Sequence, residues 1–494
     1  MRIFVQGIND NRFHRPLQLI SNLFFEEAEI SFERAPFDIE VFFQIEENEH
    51  HAAVFCELKA KECFNAFYEK DISAADEKER LKQIKRAVSH VYVTVLQDFT
   101  GIKQKWGILT GVRPTKLFHS KLMRGENKEA IYQQLKEELL LSDEKIMMME
   151  KIVDKQLTVI PDLYQLTNEL SIYIGIPFCP TKCAYCTFPA YAIGGKQGKV
   201  DSFLGGLHYE MKMIGSWLKE KGINITSVYF GGGTPTSITA EEMDRLYEEM
   251  YESFPNAGQI REVTVEAGRP DTITPEKIKV LKKWNVDRIS INPQSYIQNT
   301  LKAIGRHHTV EETVEKYYMA REMGIQNINM DLIIGLPGER LKEFEYTLSE
   351  TAKLMPESLT VHTLSFKRAS EMTKNREKYK VAERSEVEKM MDLAVEWTAA
   401  NGYEPYYLYR QKNILGNLEN VGYSRKGFES IYNIIIMEEM QTIIGLGCGA
   451  SSKLIDPVTR KITHFANPKD PKSYTEGFKH YTQEKLNLLN ALYS

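Results

Sequence analysis

Cys179, Cys183 and Cys186 stand in a C-x3-C-x2-C spacing directly after an apolar, β-branched run, Ser171-Ile172-Tyr173-Ile174-Gly175-Ile176. That run reads as a strand that hands three thiols to one short loop. Three thiolates on such a loop can hold three irons of a 4Fe–4S cube and leave the fourth open to another ligand. A zinc site would want a fourth donor nearby. The nearest histidine is His208, and no further cysteine comes before Cys448. A disulfide with a stray thiol is the other bland reading, and six cysteines in the whole chain give it little footing.

Other residues with chemistry to offer recur downstream. Gly231-Gly232-Gly233 followed by Thr234-Pro235-Thr236 lets a backbone approach a ligand closely, or makes a sharp turn. Glu266 offers a carboxylate to a ribose or an amino group, or to a nearby cation. Gln294, Arg306 and Asp331 together supply donors and acceptors for a nucleoside and a carboxylate.

These residues need a scaffold, and the chain between them has one rhythm. Strands are expected over 171–176, 227–230, 262–266, 288–292, 328–333 and 358–362. Helices are expected between them, over 200–221, 240–254, 275–284, 310–323 and 341–354. Short strands alternating with helices predict an α/β fold with a parallel, partial (β/α)6 barrel. Chemistry in such folds gathers at the C-terminal strand ends. Cys179, the glycine triplet, Glu266, Gln294 and Asp331 all fall there.

The expected domains are an N-terminal α+β domain (1–165), the barrel (166–370) and a C-terminal extension (371–494). The first carries strands near 2–5, 38–43 and 52–58 and an amphipathic helix over 77–98. Its loop over 106–116 reads as a structural turn before an anion site. In the last, a helix over 383–401 precedes a tyrosine-rich strand over 403–409. Tyr406, Tyr407 and Tyr409 could line a flat pocket or simply pack. Lys367, Arg368, Arg410 and Lys412 could meet carboxylates. His307 and His308 are expected to face solvent or substrate. The 494 residues carry 27% charged and 42% hydrophobic side chains and a net charge of −5, so no nucleic-acid partner is expected. No apolar run approaches membrane-spanning length and no signal peptide is seen, which predicts a cytoplasmic protein.

The cysteine loop resembles that of the radical S-adenosylmethionine (SAM) enzymes. The segments Tyr173-x-x-Ile176-Pro177-Phe178-Cys179, Gly231-Gly233-Thr234-Pro235-Thr236, Pro293-Gln294-Ser295 and Asp331-Leu332-Ile333-Ile334-Gly335-Leu336-Pro337 narrow the likeness. They resemble the oxygen-independent coproporphyrinogen III dehydrogenase family, and its HemZ-type branch in particular. The resemblance implies a cluster on Cys179, Cys183 and Cys186, with Tyr185 as an aromatic beside it. It implies SAM contacts from Tyr173, Gly232, Gly233, Thr234 and Glu266, and a second SAM at Gln294, Arg306 and Asp331. Implied too are a tetrapyrrole substrate and a low-potential electron donor such as flavodoxin or ferredoxin. The implied reaction is oxidative decarboxylation of coproporphyrinogen III to protoporphyrinogen IX in anaerobic heme biosynthesis.

Two positions depart from the dehydrogenase type. Phe188 replaces a cysteine after the cluster loop, and Gly175 replaces a histidine. Phe188 is typical of the heme-chaperone relatives, but their His-Asn-x-x-Tyr-Trp motif corresponds here to Glu419-Asn420-Val421-Gly422-Tyr423. Heme transfer on the same barrel is one alternative, and the missing histidine and tryptophan of that motif tell against it. A two-SAM methyltransferase or tetrapyrrole ring-opening enzyme is the other.

Overall fold

The computed structural model describes residues 1–25, 27–72, 76–111, 113–193, 199–366, 370–411 and 414–493. Two compact units make up the chain, Met1–Lys151 and Ile152–Ser494.

The first unit is built on a five-stranded sheet in the order β2-β1-β3-β4-β5. Its strands are β1 (Arg2–Gln6), β2 (Glu29–Ser31), β3 (Ile39–Glu47), β4 (His51–Lys59) and β5 (Cys63–Asp71). β1 runs parallel to β2 and β3, and β3, β4 and β5 form an antiparallel meander. The helix Glu77–Thr100 starts where the Asp76 side chain accepts the Glu79 N–H. It lays Ile84, Val88, Val91 and Val95 into the core at helical spacing, as their pattern predicts. β5 was not legible in advance, because none of its residues is deeply buried and its sequence carries no clean apolar alternation. The loop expected over 106–116 is shorter than that, since Pro114 opens the helix Pro114–Leu122 at a position that suits its fixed φ. Val112 within it lies outside the described residues.

The second unit holds an eleven-stranded sheet, in the order β14-β15-β13-β12-β11-β10-β9-β6-β16-β17-β18. Along the chain these are β6 (Glu169–Ile176), the short pair β7 (Phe178–Cys179) and β8 (Tyr191–Ala192), β9 (Asn224–Gly232), β10 (Glu262–Val265) and β11 (Arg288–Ser290). There follow β12 (Ile328–Ile334), β13 (Ser358–Thr363), β14 (Glu404–Tyr409), β15 (Asn420–Ser424), β16 (Thr442–Gly447), β17 (Ser451–Ile455) and β18 (Ile462–Ala466). The six strands expected from the sequence, β6 and β9 to β13, are parallel neighbours. β16 pairs parallel with β6, from Thr442↔Leu170 to Gly447↔Gly175, and extends the row. Antiparallel strands finish each edge, so residues after 370 complete the same sheet.

The helices Val200–Lys221, Ala240–Ser253, Pro275–Lys283, Val310–Glu322 and Leu341–Leu354 connect the parallel strands. Local chemistry sets several of their ends. Thr239 and Glu242 form a capping box, Thr274 and Thr309 cap the next helices, and Gly222 in the left-handed region stops the first. Strand residues Ile172, Ile174, Val228, Phe230, Val265, Ile289 and Leu332 are buried with the helix residues Leu207, Met211, Met243 and Leu246. Each such side chain contributes roughly 1.5–3 kcal/mol on burial. The alternate strand positions carry polar and aromatic groups instead, and these form the site.

Candidate active site

Three levels of side chains line the other face of the parallel strands. At the C-terminal ends stand Glu266, Asn292, Asp331, His362 and Tyr409, the last four joined by direct contacts. Asp331 accepts from Asn292 Nδ2 at 2.9 Å and Asn329 Nδ2 at 2.8 Å, and lies 3.5 Å from His362 Nε2. His362 Nδ1 is 3.2 Å from the Tyr409 hydroxyl. One level down, the strand register aligns Tyr173, Tyr229, Thr264 and Arg288 in a row. Below them Tyr432 stacks on Tyr229 at 4.5 Å and on Tyr173 at 6.5 Å. Tyr432 belongs to the helix Ile431–Glu438, whose first turn is held by Glu262 at the start of β10. That carboxylate accepts from Ser430 Oγ, the Ile431 N–H and the Tyr432 N–H at 2.8, 2.8 and 3.1 Å. Tyr173, Tyr229, Glu266, Asp331, His362 and Tyr409 are all half-buried, so solvent reaches a hollow between them.

The cysteine loop is fastened beside this hollow. The Ala184 N–H donates to Ile304 O at 2.9 Å, and Thr181 Oγ1 donates to Gly305 O at 3.0 Å. Arg269 donates to Thr181 O and Oγ1 while Asp271 clamps its other edge at 2.9 and 2.8 Å. Gly305 has a φ of +79°, and a Cβ there would sit 3.2 Å from Lys182 O. Cys179 and Cys183 are buried and Cys186 is half-buried. Cys179 Sγ lies 3.2 Å from Thr234 Oγ1, and burial pushes its thiol up to about 11. Such a thiol keeps its proton until a metal replaces it. Among the described residues no three metal-binding side chains converge on one point. A cube does not ask for convergence, because its thiolates bind three separate irons.

The glycine segment is stitched to the same loop. The Gly233 N–H donates to Ile176 O and the Thr234 N–H to Phe178 O, both at 2.7 Å. A Cβ on Gly233 would fall 2.6 Å from Phe178 O, and one on Gly231 2.9 Å from Glu266 Oε2. Glycine at these positions lets the segment close on the loop and on Glu266, and this side-chain-free backbone is the cradle to which the resemblance assigns SAM. Gly233→Ala is expected to lower SAM affinity at least tenfold, roughly the 1.4 kcal/mol that a modest backbone shift would cost. Equilibrium dialysis showing unchanged binding would count against the cradle.

Glu266 receives the Tyr229 hydroxyl at 2.5 Å. Burial, with the charge of Asp331 adding to it, raises its pKa to about 7 against the opposing pull of that hydrogen bond. The second implied set is only partly free. Arg306 Nη2 donates to Gly268 O and Asn292 O at 2.7 Å, and the Asp331 carboxylate is engaged as described. Gln294, held at a φ of +64° by backbone bonds to Asp331 and Ile333, keeps a buried Oε1 with no protein partner. Tyr185 stands against the Arg306 guanidinium beside the cysteine loop.

Several sequence expectations change here. His308 is buried, its Nδ1 4.0 Å from Asp271 Oδ1 and neither ring nitrogen hydrogen-bonded, while His307 is exposed. Tyr406 and Tyr407 pack in the apolar cluster around Ile434 and Ile435, and only Tyr409 reaches the hollow's rim. Arg410 is buried and donates to Asn417 O, with the charge of Glu419 acting on it from within the protein. Lys367, Arg368 and Lys412 lie outside the described residues. Gly175 has a reason, since a Cβ there would meet Cys448 O at 2.8 Å. Arg269, Asn292 and His362 were overlooked. Each follows or ends a parallel strand, so the strand-end argument that found Glu266 would have found them.

Comparison with known proteins adds three findings. The sequence model of the Radical SAM superfamily matches residues 173–350. The chain is 64% identical over 497 residues to the Bacillus subtilis oxygen-independent coproporphyrinogen-III oxidase-like protein HemZ, covering 100% of this chain and 99% of that one. It is 36% identical over 194 residues to the B. subtilis heme chaperone HemW, covering 39% and 50% of the two chains. The solved structure of the Escherichia coli coproporphyrinogen III oxidase HemN, described as a radical SAM enzyme, superposes with a TM-score of 0.52 at 22% identity, over 66% and 73% of the two chains.

Proposed function

Because this chain belongs to the radical SAM superfamily, and within it to the family of the HemZ-type coproporphyrinogen-III oxidase-like proteins, we propose that it decarboxylates coproporphyrinogen III oxidatively to protoporphyrinogen IX. The observation that carries the substrate is the end-to-end likeness to a protein called coproporphyrinogen-III oxidase-like. The tyrosine-walled hollow beside the cysteine loop supports the same reading, because it offers flat apolar surface and polar tips together.

In this proposal Cys179, Cys183 and Cys186 hold the cluster, and Tyr173, Gly232, Gly233, Thr234 and Glu266 hold SAM against it. When bound, the two supply one-electron cleavage of SAM to a hydrogen-abstracting radical. The protein's part is to place and shield. Glu266 accepts from the ligand's ribose or amino group, while Tyr229 holds its Oε1 and the Gly232 N–H also faces the carboxylate. The tyrosine stack fills the space below and keeps bulk water from the reacting level. Gln294 offers an acceptor to a second SAM, with Arg306 and Asp331 behind it. Each of two propionates would give a β-hydrogen atom to the radical and then lose CO2 and one electron, which an external electron acceptor takes, so that two vinyl groups remain. A low-potential donor such as flavodoxin or ferredoxin supplies the separate electron that each SAM cleavage consumes.

An anaerobic assay of cluster-reconstituted protein with SAM, reductant and coproporphyrinogen III, read by mass spectrometry, tests this. Loss of two CO2 in step with 5′-deoxyadenosine supports it; SAM cleavage with the porphyrinogen untouched sinks the substrate assignment.

Glu266 makes a pH prediction. With its pKa near 7, the carboxylate that SAM would meet is lost as pH falls through that value, so SAM affinity weakens below it. Glu266→Gln flattens the profile. The free protein behaves in the opposite sense. Its folded state keeps a proton that the unfolded chain, near 4.5, has released, so stability falls as pH rises from about 4.5 to about 7. An unchanged pH profile of SAM binding in the variant would remove Glu266 from the site.

A further inference from the structure

Lys182, the only cation from Pro177 to Phe188, is exposed, and the fold brings the cysteine loop a buried one from elsewhere. Arg269, 3% exposed, is laid against the middle of the loop. Its Nη1 donates to Thr181 Oγ1 at 2.9 Å and to Thr181 O at 3.3 Å. Thr181 stands two residues from Cys179 and two from Cys183, and the guanidinium charge acts on both thiols. Asp271 closes the other edge, accepting from Nε at 2.9 Å and from Nη2 at 2.8 Å. The pair is a fixed dipole, with its cation on the loop and its anion on the side away from Thr181, 4.0 Å from His308 Nδ1.

Anchoring Thr181 does not require a charge. An amide side chain would donate to the same oxygens without the desolvation that a buried ion pair suffers. The charge therefore has its own use. His308, the other base at this spot, adds none, because burial and the cations Arg306 and Arg269 hold its pKa at about 3. A cluster on three thiolates is anionic, and one-electron reduction makes it more so. A cation held beside it favours the reduced form, and does so strongly where water is excluded.

We propose that the Arg269–Asp271 pair sets the reduction potential of the cluster carried by Cys179, Cys183 and Cys186. Arg269 favours the electron-loaded state, and Asp271 limits that effect by opposing the charge. Loading from a low-potential donor is thereby eased without exposing the loop to solvent. The inference rests on the cluster assignment within the proposed function, and is independent of the substrate.

The test is an anaerobic redox titration of cluster-reconstituted full-length protein without SAM. Electron paramagnetic resonance reads the reduced fraction, and visible absorbance reads cluster content. Arg269→Gln offers Thr181 a donor but drops the charge. Its midpoint should fall by at least about 59 mV, the one-electron equivalent of a tenfold poorer reduction equilibrium. Asp271→Asn should move the midpoint upward, because the guanidinium then acts on the loop unopposed. Arg269→Lys keeps a cation and should shift it less than Arg269→Gln. Thr181→Val keeps both charges and removes an anchor, so cluster content should fall while the midpoint stays nearly unmoved.

A pair that only supports the loop would move Arg269→Gln and Asp271→Asn in the same direction. That result, or an unmoved midpoint in both, overturns the proposal. Should Arg269→Gln hold no cluster, Asp271→Asn decides: an upward shift supports the proposal and its absence overturns it. If wild type itself takes up no cluster, the cluster assignment falls and this inference falls with it. A wild-type cluster with unmoved variants removes this inference alone.

Discussion

Cys183→Ala is expected to abolish the iron–sulfur absorbance and SAM cleavage together, with the fold retained. Three cysteines within eight residues are the whole thiol supply of the loop; Cys448 packs beside Gly175, where burial pushes its thiol up and none of the three cysteines acts on it. Two thiolates cannot hold the cube with one iron left for SAM. The fold should survive, because the loop is anchored by groups other than sulfur. Ala184 and Thr181 bond to Ile304 and Gly305, and Arg269 ties Thr181 to Asp271. Absorbance near 400 nm after anaerobic reconstitution, 5′-deoxyadenosine yield and far-ultraviolet circular dichroism read the three outcomes. Full retention of either cluster or cleavage would defeat the ligand assignment.

Lys485→Met is expected to destabilise the second unit by about 3–5 kcal/mol, the usual cost of stranding one partner of a buried ion pair. Lys485 and Glu210 are both fully buried, with Nζ to Oε1 at 2.5 Å. The same ammonium donates to Gly445 O, while Glu210 also accepts from the Gly447 N–H and Tyr474 hydroxyl at 2.8 Å and from Asn467. This network pins the helix Pro471–Leu492 to Val200–Lys221 and to the end of β16. β16 in turn braces Gly175, next to the cysteine loop. The loss should appear in denaturant unfolding of the second unit, followed by Trp217 fluorescence. The double variant Glu210→Gln/Lys485→Met should recover part of it, since no lone charge is then buried. A loss below about 1 kcal/mol in the single variant would mean that water enters and solvates the carboxylate.

These two results sit at opposite ends of what short-range sequence can reveal. The cysteine spacing spans eight residues, and the strand–helix alternation repeats over similar distances, so both are written in local propensity and periodicity. That was enough to locate the parallel strands, their connecting helices, the glycine cradle and Glu266. The strand-end rule then put those residues on one face before any contact was known. A β-strand presents alternate side chains to opposite faces, so the polar set interleaved with Ile172, Ile174, Val228 and Phe230 was legible as well.

Tertiary structure decided everything that depends on which distant segments meet. Arg269 reaches back 88 residues to steady Thr181, and Lys485 crosses 275 to meet Glu210. β16 lies beside β6, and Tyr432 slides beneath Tyr229, although nothing near either in sequence announces the partner. The same holds for Tyr406 and Arg410, which composition offered to a ligand and packing turned inward. Burial also set the protonation of Glu266. By itself the sequence determined the cysteine loop, the cradle and the strands that carry them, because these follow from spacing. The acidic rim of the hollow and the meeting of Arg288 with Glu262 beneath it came only with folding, because desolvation and pairing are properties of neighbours that the chain brings together from afar.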